Sequence, residues 1–398
     1  MQAIFSPGKP IWNRDDLASI ETPCYIFNPA EVVRSYRSLR ASLGTPLLVS
    51  LKANPDPDLL ECCASEFRDG VEVASLGELD TVSERLADAK YVTSPALDEA
   101  LILAASACRA TVVLDSEAHA KLLLQLQPRL FEPVSVMIRI NATSLLRNCT
   151  ESLKADHFGV EPADACTIVS RLHHARIRVV GLHVFVGSGN FARAAPYMVS
   201  AMTPLIDEVS ARMQQQLPCA NLGGGFTADW AEAPDLMRAY RNSLEPLRRR
   251  MTVLHEAGRA IFERAGKFLT RVVSVKLIHG SWVAVCDGGM AHAFQLAQTE
   301  RFVKSWSEPT VIRKGVPDEG GATLVDGLPT RYVGNSCNPA DVLGVAEKGA
   351  GPQIGDIVMF QRCGAYHTYT PSSFLNLAPA RKYLNLSANR AIGEAPET

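Results

Sequence analysis

The chain has 398 residues, of which 47% are hydrophobic and 21% are charged, and its formal net charge at pH 7 is −2. This composition is ordinary for a soluble globular protein, and a chain of this length buries enough surface to fold without disulfides or bound metals. The charge balance excludes a strong general attraction to nucleic acid or anionic membranes, and the absence of an 18-residue apolar run excludes a transmembrane helix. We therefore expect no nucleic-acid partner, no membrane and no signal peptide.

Short β-rich runs alternate with amphipathic helical segments through the first two thirds of the chain. Eight such runs occur, at 46–52, 70–75, 89–94, 110–116, 134–141, 177–189, 219–225 and 252–259. Eight β-α units in about 220 residues predict a (β/α)8 TIM-type barrel. A doubly wound open sheet is the alternative, and the missing G-x-G-x-x-G after the first strand disfavours its dinucleotide-binding form.

The pattern changes after residue 265, where strand-like runs follow one another with turns between them. This region predicts an all-β second domain. The segment 306–330 is rich in proline and glycine and is predicted to be a loop.

Ten cysteines are spread along the chain, and none forms a C-x-x-C pair. This spacing favours neither a zinc ribbon nor a thioredoxin-type motif, and no metal site is predicted. Reduced thiols in a cytoplasmic enzyme are the expectation.

Chemically useful residues fall at the carboxyl ends of the predicted barrel strands, where active sites of this fold lie. They are Lys52, Glu72, His183, the glycine turns at 187–189 and 223–225, Glu256, Gly258 and Arg259. Glycine backbones and an arginine can hold a phosphate, and a partly desolvated lysine can bond covalently to an aldehyde. An acid can keep a pyridine nitrogen protonated, so the set predicts pyridoxal 5′-phosphate (PLP) as cofactor.

Several motifs also occur in the order found in one enzyme family. They are SLKANP (50–55), GVEVASLGEL (70–79), HFGV (157–160), GLHVFVGSGN (181–190), NLGGGF (221–226), HEAGRAI (255–261), GNSCNPADVL (334–343) and CGAYHTYTPSSFLN (363–376). Through these motifs the chain resembles the fold-type III PLP-dependent amino-acid decarboxylases, the group of diaminopimelate and ornithine decarboxylases. The resemblance covers nearly the whole chain.

The resemblance implies an architecture and a set of roles. The PLP-binding barrel would span 28–265, and a β-domain would be built from 1–27 together with 266–398. Lys52 would carry PLP, Glu256 would pair with its pyridine nitrogen, and Glu72 and His183 would belong to the same cofactor site. The phosphate would be held by Ser188, Gly225, Gly258, Arg259 and Tyr366. Cys337 would reach the substrate α-carbon as an acid across the interface of a homodimer with a shared active site.

Two positions depart from the family pattern. Phe185 stands where most relatives have a histidine stacked on the cofactor, and its phenyl ring can still stack, although it cannot donate a hydrogen bond. His183, two residues earlier on the same strand face, either takes over that role or simply lines the barrel. Asn338 replaces the acidic residue that helps the family to read the distal end of the substrate. These departures favour an L-amino or diamino acid conjugated to a larger acid or carrier, as in carboxylate siderophore biosynthesis. Free diaminopimelate, ornithine or lysine is the alternative substrate.

Two other functions compete with decarboxylation. An amino-acid racemase of the same fold would typically place arginine against the pyridine nitrogen, which Glu256 argues against. A non-catalytic PLP-binding homologue would have lost catalytic groups, whereas Lys52, Glu256 and Cys337 are all present.

Overall fold

The computed structural model describes residues 14–82, 86, 89–149, 153, 156–297, 308–313, 327–349, 351–368 and 374–386. The chain forms two compact units, one of residues 33–261 and the other of residues 1–32 together with 262–398. Short elements precede the first unit, namely helix α1 (Arg14–Ala18) and strand β1 (Cys24–Phe27).

The first unit closes eight parallel strands into a barrel, in which the first strand pairs with the last. The strands are β2 (Leu47–Ser50), β3 (Val71–Val73), β4 (Lys90–Thr93), β5 (Thr111–Leu114), β6 (Ser135–Ile140), β7 (Arg178–Val184), β8 (Cys219–Asn221) and β9 (Thr252–Ala257). Each of the eight predicted runs contains one of these strands. The barrel prediction is therefore confirmed, and the open doubly wound sheet is excluded.

Helices precede the first barrel strand, connect the strands and follow the last one. They are α2 (Pro29–Leu43), α3 (Pro57–Cys63), α4 (Leu76–Thr81), α5 (Glu99–Ala107), α6 (Glu117–Leu126), α7 (Ala142–Leu145), α8 (Pro162–His174), α9 (Phe191–Met213), α10 (Pro234–Ser243), α11 (Glu245–Arg248) and α12 (Arg259–Phe262).

Polar caps start the helices that follow five of the barrel strands. In each, a side-chain oxygen accepts a hydrogen bond from the backbone N–H three residues later, and the capping residues are Asp56, Ser75, Asp98, Ser116 and Asn141. Such caps satisfy one of the free N–H groups at a helix start. They keep the turns after the strands short and fix the positions of the strand ends.

Apolar side chains fill part of the barrel interior. One cluster joins Val113, Met137, Val180, Cys219 and Leu254, which come from the five consecutive strands β5 to β9. This packed layer makes the barrel a solid support rather than a pore.

The second unit is built on an eight-stranded mixed sheet. Its further elements are β10 (Gly266–Ile278), β11 (Ser281–Cys286), α13 (Phe294–Ala297), β12 (Thr310–Ile312), β13 (Thr330–Val333), β14 (Val342–Ala346), β15 (Ile357–Phe360) and β16 (Arg381–Leu384). The path β12-β15-β10-β11-β13-β14 carries β1 on β10 in antiparallel pairing, and β1 pairs in parallel with β16. The N-terminal segment thus completes the C-terminal sheet, as predicted.

One sequence-based prediction about this unit is wrong. The span 306–330 is predicted to be a loop, but residues Thr310–Ile312 form β12 and pair with β15, whereas 306–307 and 314–326 lie outside the described residues. Ile312 is buried in the apolar cluster that also contains Leu269 and Ile357. The three β-forming residues lie between proline- and glycine-rich stretches, so a short strand gave no clear local signal.

None of the described helices is long and apolar enough to cross a membrane. All ten cysteines are free thiols, and Cys108 and Cys337 are the exposed ones.

Candidate active site

Lys52 and Glu72 form a close ion pair at the ends of neighbouring strands. Lys52 lies in a single 3-10 turn, Leu51–Ala53, directly after β2, and Glu72 lies in β3 opposite Ser50. The Lys52 Nζ donates to both carboxylate oxygens of Glu72 at 2.8 Å. The Glu72 side chain is 1% exposed, whereas that of Lys52 is 36% exposed. The buried carboxylate therefore fixes an amine that an incoming molecule can still reach.

A second buried carboxylate, that of Glu256 in β9, has two polar neighbours on one oxygen. The Asn221 amide donates to Glu256 Oε1 at 2.8 Å, and His183 Nε2 lies 3.2 Å from the same oxygen. Burial alone would raise the pKa of Glu256, but the neighbouring His183, the charge of Lys52 and the Asn221 amide outweigh it and lower the pKa. Glu256 is thus held as an anion inside the barrel.

Asn221 is itself fixed by the backbone. Its Oδ1 accepts a hydrogen bond from the Gly223 N–H at 2.9 Å, and the residue is fully buried. The amide thus has a defined orientation, with its NH2 group directed to Glu256.

His183 is 1% exposed, and neither of its ring nitrogens has a well-aligned hydrogen-bond partner among the described residues. Buried polar atoms of this kind are rare in folded proteins and commonly mark a functional site. His183 lies beside Glu256, and its predicted place in a cofactor site stays a prediction.

Phe185, which stands at the position of the family's stacking histidine, follows β7 and is half-buried. The Arg139 guanidinium lies 6.0 Å from its ring centroid and 4.3 Å from that of Phe158. Arg139 also pairs with the buried carboxylate of Asp115 at 3.0 Å. The neighbourhood of Phe185 therefore contains a fixed cation.

The glycine turns after β7 and β8 pack directly against each other. Gly187 and Gly225 have φ values of +86° and +92°, in the left-handed region that side chains avoid. A Cβ atom on Gly225 would lie 2.6 Å from the Gly187 carbonyl oxygen. The two turns can thus approach each other this closely only because Gly225 has no Cβ atom, and glycine turns with exposed backbone N–H groups suit an anion. Ser188, also predicted to hold phosphate, is exposed in the first turn.

Gly258 and Arg259 follow β9 immediately. Gly258 is buried, and Arg259 is half-buried at the start of α12. The barrel unit therefore brings an amine, two buried carboxylates, glycine turns and an arginine to the carboxyl ends of its strands.

Three predicted site residues lie in the second unit. Tyr366 is half-buried with φ of +65°, and Cys337 is exposed. Asn338 is half-buried, and its Oδ1 accepts a hydrogen bond from the Ala340 N–H at 2.9 Å. The oxygen of Asn338 is thus used within its own turn.

Asn221 was not predicted as a site residue. Its only signal in the sequence is its position, because it is a polar residue in an apolar run, two residues before the first of three glycines. Its role becomes visible only through the register, which pairs β7 with β8 at His183 and Asn221.

These residues fit PLP chemically. The Lys52 amine matches the aldehyde, the glycine cradle and Arg259 match the phosphate, and ionised Glu256 matches a protonated pyridine nitrogen.

Comparison with known proteins supports this fit. The family model described as "Pyridoxal-dependent decarboxylase, pyridoxal binding domain" matches residues 29–267, which is more than half of the chain. The solved structure of a lysine/ornithine decarboxylase with putrescine, from Vibrio vulnificus, superposes with a TM-score of 0.76. It has 21% sequence identity, and the match covers 92% of this chain and 95% of that one.

Three curated relatives match over most of their length. An L-glutamyl-[BtrI acyl-carrier protein] decarboxylase from Niallia circulans is 24% identical, over 89% of this chain and 86% of the relative. A 2-[(L-alanin-3-ylcarbamoyl)methyl]-2-hydroxybutanedioate decarboxylase from Staphylococcus aureus is 23% identical, over 86% and 88%. A diaminopimelate decarboxylase from Deinococcus radiodurans is 26% identical, over 89% and 88%.

Proposed function

Because the chain belongs to the pyridoxal-dependent decarboxylase family, we propose that its substrate is an L-amino or diamino acid already joined to a larger acid or a carrier. The enzyme itself is a PLP-dependent carboxy-lyase. When bound, PLP supplies an electron sink for the pair left behind by departing CO2. The substrate proposal fits specialised metabolism, such as the making of carboxylate siderophores.

Each site residue has a proposed part in that reaction. Lys52 carries the cofactor, and Glu72 holds the Lys52 amine in place through the 2.8 Å ion pair. Glu256 keeps the ring nitrogen protonated. Ser188, Gly225, Gly258, Arg259 and Tyr366 hold the phosphate. Cys337 gives a proton to the α-carbon as a general acid.

The observation that carries the substrate proposal is the chemistry of Asn338. This residue has no charge, and its Oδ1 already accepts from the Ala340 N–H. It therefore offers no carboxylate to a free distal ammonium. Two relatives are named for substrates in which the amino acid is attached to a carrier protein or to a hydroxybutanedioate group.

A free diamino acid is the second candidate substrate. The relative from Deinococcus radiodurans, of similar identity, is named for free diaminopimelate. A racemase is disfavoured by the carboxylate of Glu256, because racemases of this fold typically place an arginine, not a carboxylate, against the ring nitrogen.

The test is CO2 release by the PLP-loaded enzyme from two groups of substrates. One group contains free diaminopimelate, ornithine, lysine and arginine, and the other contains citryl- or acyl-linked diamino acids. We expect release from the linked group. Release confined to the free group would contradict the proposal, and exchange of the α-proton without CO2 would favour a racemase.

The variant Asn338→Glu sharpens the test. A new carboxylate should raise kcat/KM for free diamino acids about tenfold, because an ion pair with a distal ammonium contributes roughly 1–3 kcal/mol when partly desolvated. Asn148→Glu makes the same charge change on an exposed turn and should have no effect. An unchanged substrate preference in Asn338→Glu would show that residue 338 does not line the substrate pocket.

Two further features belong to the proposal. The enzyme is a homodimer in which Cys337 of one subunit serves the site of the other; the exposure of Cys337 supports this. It works in the cytoplasm; ten unpaired thiols suit a reducing compartment.

A further inference from the structure

A buried histidine lies beside the carboxylate of Glu256 and has no well-aligned hydrogen bond among the described residues. His183 Nε2 lies 3.2 Å from Glu256 Oε1, and both ring nitrogens lack an aligned partner among the described residues. We propose that His183 is a positioning residue that, together with Asn221, holds Glu256 by Oε1 and so keeps Oε2 for the ring nitrogen of PLP. This inference rests on the proposed pairing of Glu256 with that nitrogen.

The strand register supports a joint action of the two residues. His183 in β7 is the direct neighbour of Asn221 in β8, and both side chains turn into the barrel and approach the same oxygen of Glu256. Both polar contacts described for the Glu256 carboxylate go to Oε1. A carboxylate held by one oxygen presents the other in a defined direction.

One donor would not be enough to fix this group. Asn221 sets one distance, but a carboxylate with a single hydrogen bond can still turn about that bond. The second contact, from the neighbouring strand, removes that freedom. It also opposes the burial that would otherwise raise the pKa of Glu256, and only the ionised form of Glu256 can stabilise a proton on the ring nitrogen.

A purely structural role for His183 explains the geometry less well. His255, the adjacent residue to Glu256, shows what a structural buried histidine has in this barrel: Thr45 Oγ1 and Tyr240 Oη each lie 2.8 Å from one of its ring nitrogens. His183 has no comparable pair of partners. Its one described polar contact is instead that of Nε2 with Glu256 Oε1, at 3.2 Å.

The experiment reconstitutes the full-length enzyme with PLP labelled with 15N in the ring and measures the 15N chemical shift and the Kd for PLP. The wild-type ring should be protonated near pH 8. In His183→Leu the shift should move toward the unprotonated ring, and the Kd should rise about tenfold or more, since the 3.2 Å polar contact with a charged carboxylate is lost. His183→Gln, whose amide nitrogen can reach the same oxygen, should restore most of both.

His119→Leu is the matched control. His119 is also buried in the barrel unit, but its Nδ1 accepts from the Asp115 N–H. We expect this variant to leave the ring shift unchanged. The inference would be overturned if both leucine variants changed the ring 15N shift and the Kd for PLP equally. It would also be overturned if folded His183→Leu kept the wild-type 15N shift. If His183→Leu does not fold, His183→Gln against the shorter His183→Asn decides, and equal ring shifts in these two would also overturn it.

The readouts separate this inference from the substrate proposal. Neither the 15N shift nor the Kd requires a known substrate, so failure of the linked substrates in the CO2 assay would leave both unaffected. An unprotonated ring in the wild type would overturn the pairing with Glu256, and the role of His183 with it.

Discussion

At the scale of single residues, the adjacent residues His255 and Glu256 of β9 have opposite environments, because one favours the neutral form and the other the charged form. Glu256 is surrounded by groups that favour its charge, whereas His255 is fully buried between two hydroxyls. Burial lowers the pKa of His255 to about 3, and the nearby charge of Glu256 opposes this only in part. His255 is therefore neutral in the folded enzyme at any ordinary pH.

This neutrality predicts a pH-dependent stability. The unfolded chain protonates His255 near its ordinary pKa of about 6.5, so between about pH 6.5 and 3 the unfolded state binds the extra proton. The contribution of neutral His255 to the free energy of unfolding is therefore complete above about pH 6.5 and is lost as the pH falls toward 3. His255→Gln should reduce the slope of the unfolding free energy against pH by up to about 1.4 kcal/mol per unit in this window.

Urea unfolding of the apoenzyme from pH 5 to 8 measures this slope. His173→Gln, which changes an exposed histidine, should keep the wild-type slope. The same slope in His255→Gln as in the wild type would show that His255 takes up its proton at the same pH in the folded and the unfolded state.

At the scale of elements, the turns after β7 and β8 predict a selective effect of one methyl group. Gly225→Ala places a side chain at φ of +92° and brings its Cβ to 2.6 Å from the Gly187 carbonyl oxygen. Strain of this kind costs about 1–3 kcal/mol, so the Kd for PLP should rise about tenfold to a hundredfold if these turns hold the phosphate.

Gly77→Ala is the control, because Gly77 lies in α4 with open space around its Cα. Alanine is the better helix former, so this variant should bind PLP normally and be slightly more stable. Spectrophotometric titration of the apoenzymes gives both constants. Normal PLP binding by Gly225→Ala would exclude the turn after β8 from the phosphate site.

The elements also show how far the sequence predicts the structure. Barrel strands are buried on both faces, so they read as short apolar runs, and the capped helices mark where each run ends. Lys52 and Glu256 were found because they stand at such ends. The role of Asn221 could not be predicted because it depends on β7 and β9 lying on either side of β8, which brings His183 and Glu256 next to it. The strand β12 could not be predicted because only its pairing with β15 makes these three residues a strand.

At the scale of the whole molecule, the proposed shared site can be tested by mixing two inactive variants. Lys52→Ala and Cys337→Ala should each lower kcat by roughly 10²–10⁴-fold or more, as expected when a covalent carrier or a general acid is removed. If Cys337 serves the neighbouring subunit, a mixed dimer contains one site with both changes and one site with neither.

Equal mixing with full subunit exchange should therefore restore about a quarter of the wild-type activity, since half of the dimers of a two-fold symmetric pair are mixed. Mixing Lys52→Ala with the double variant Lys52→Ala/Cys337→Ala leaves no intact site and should restore nothing. Mass spectrometry of intact dimers carrying different tags verifies the exchange. Complete exchange without recovered activity would place Cys337 in the site of its own chain or outside any site, and an enzyme that stays monomeric and fully active on dilution would contradict the dimer itself.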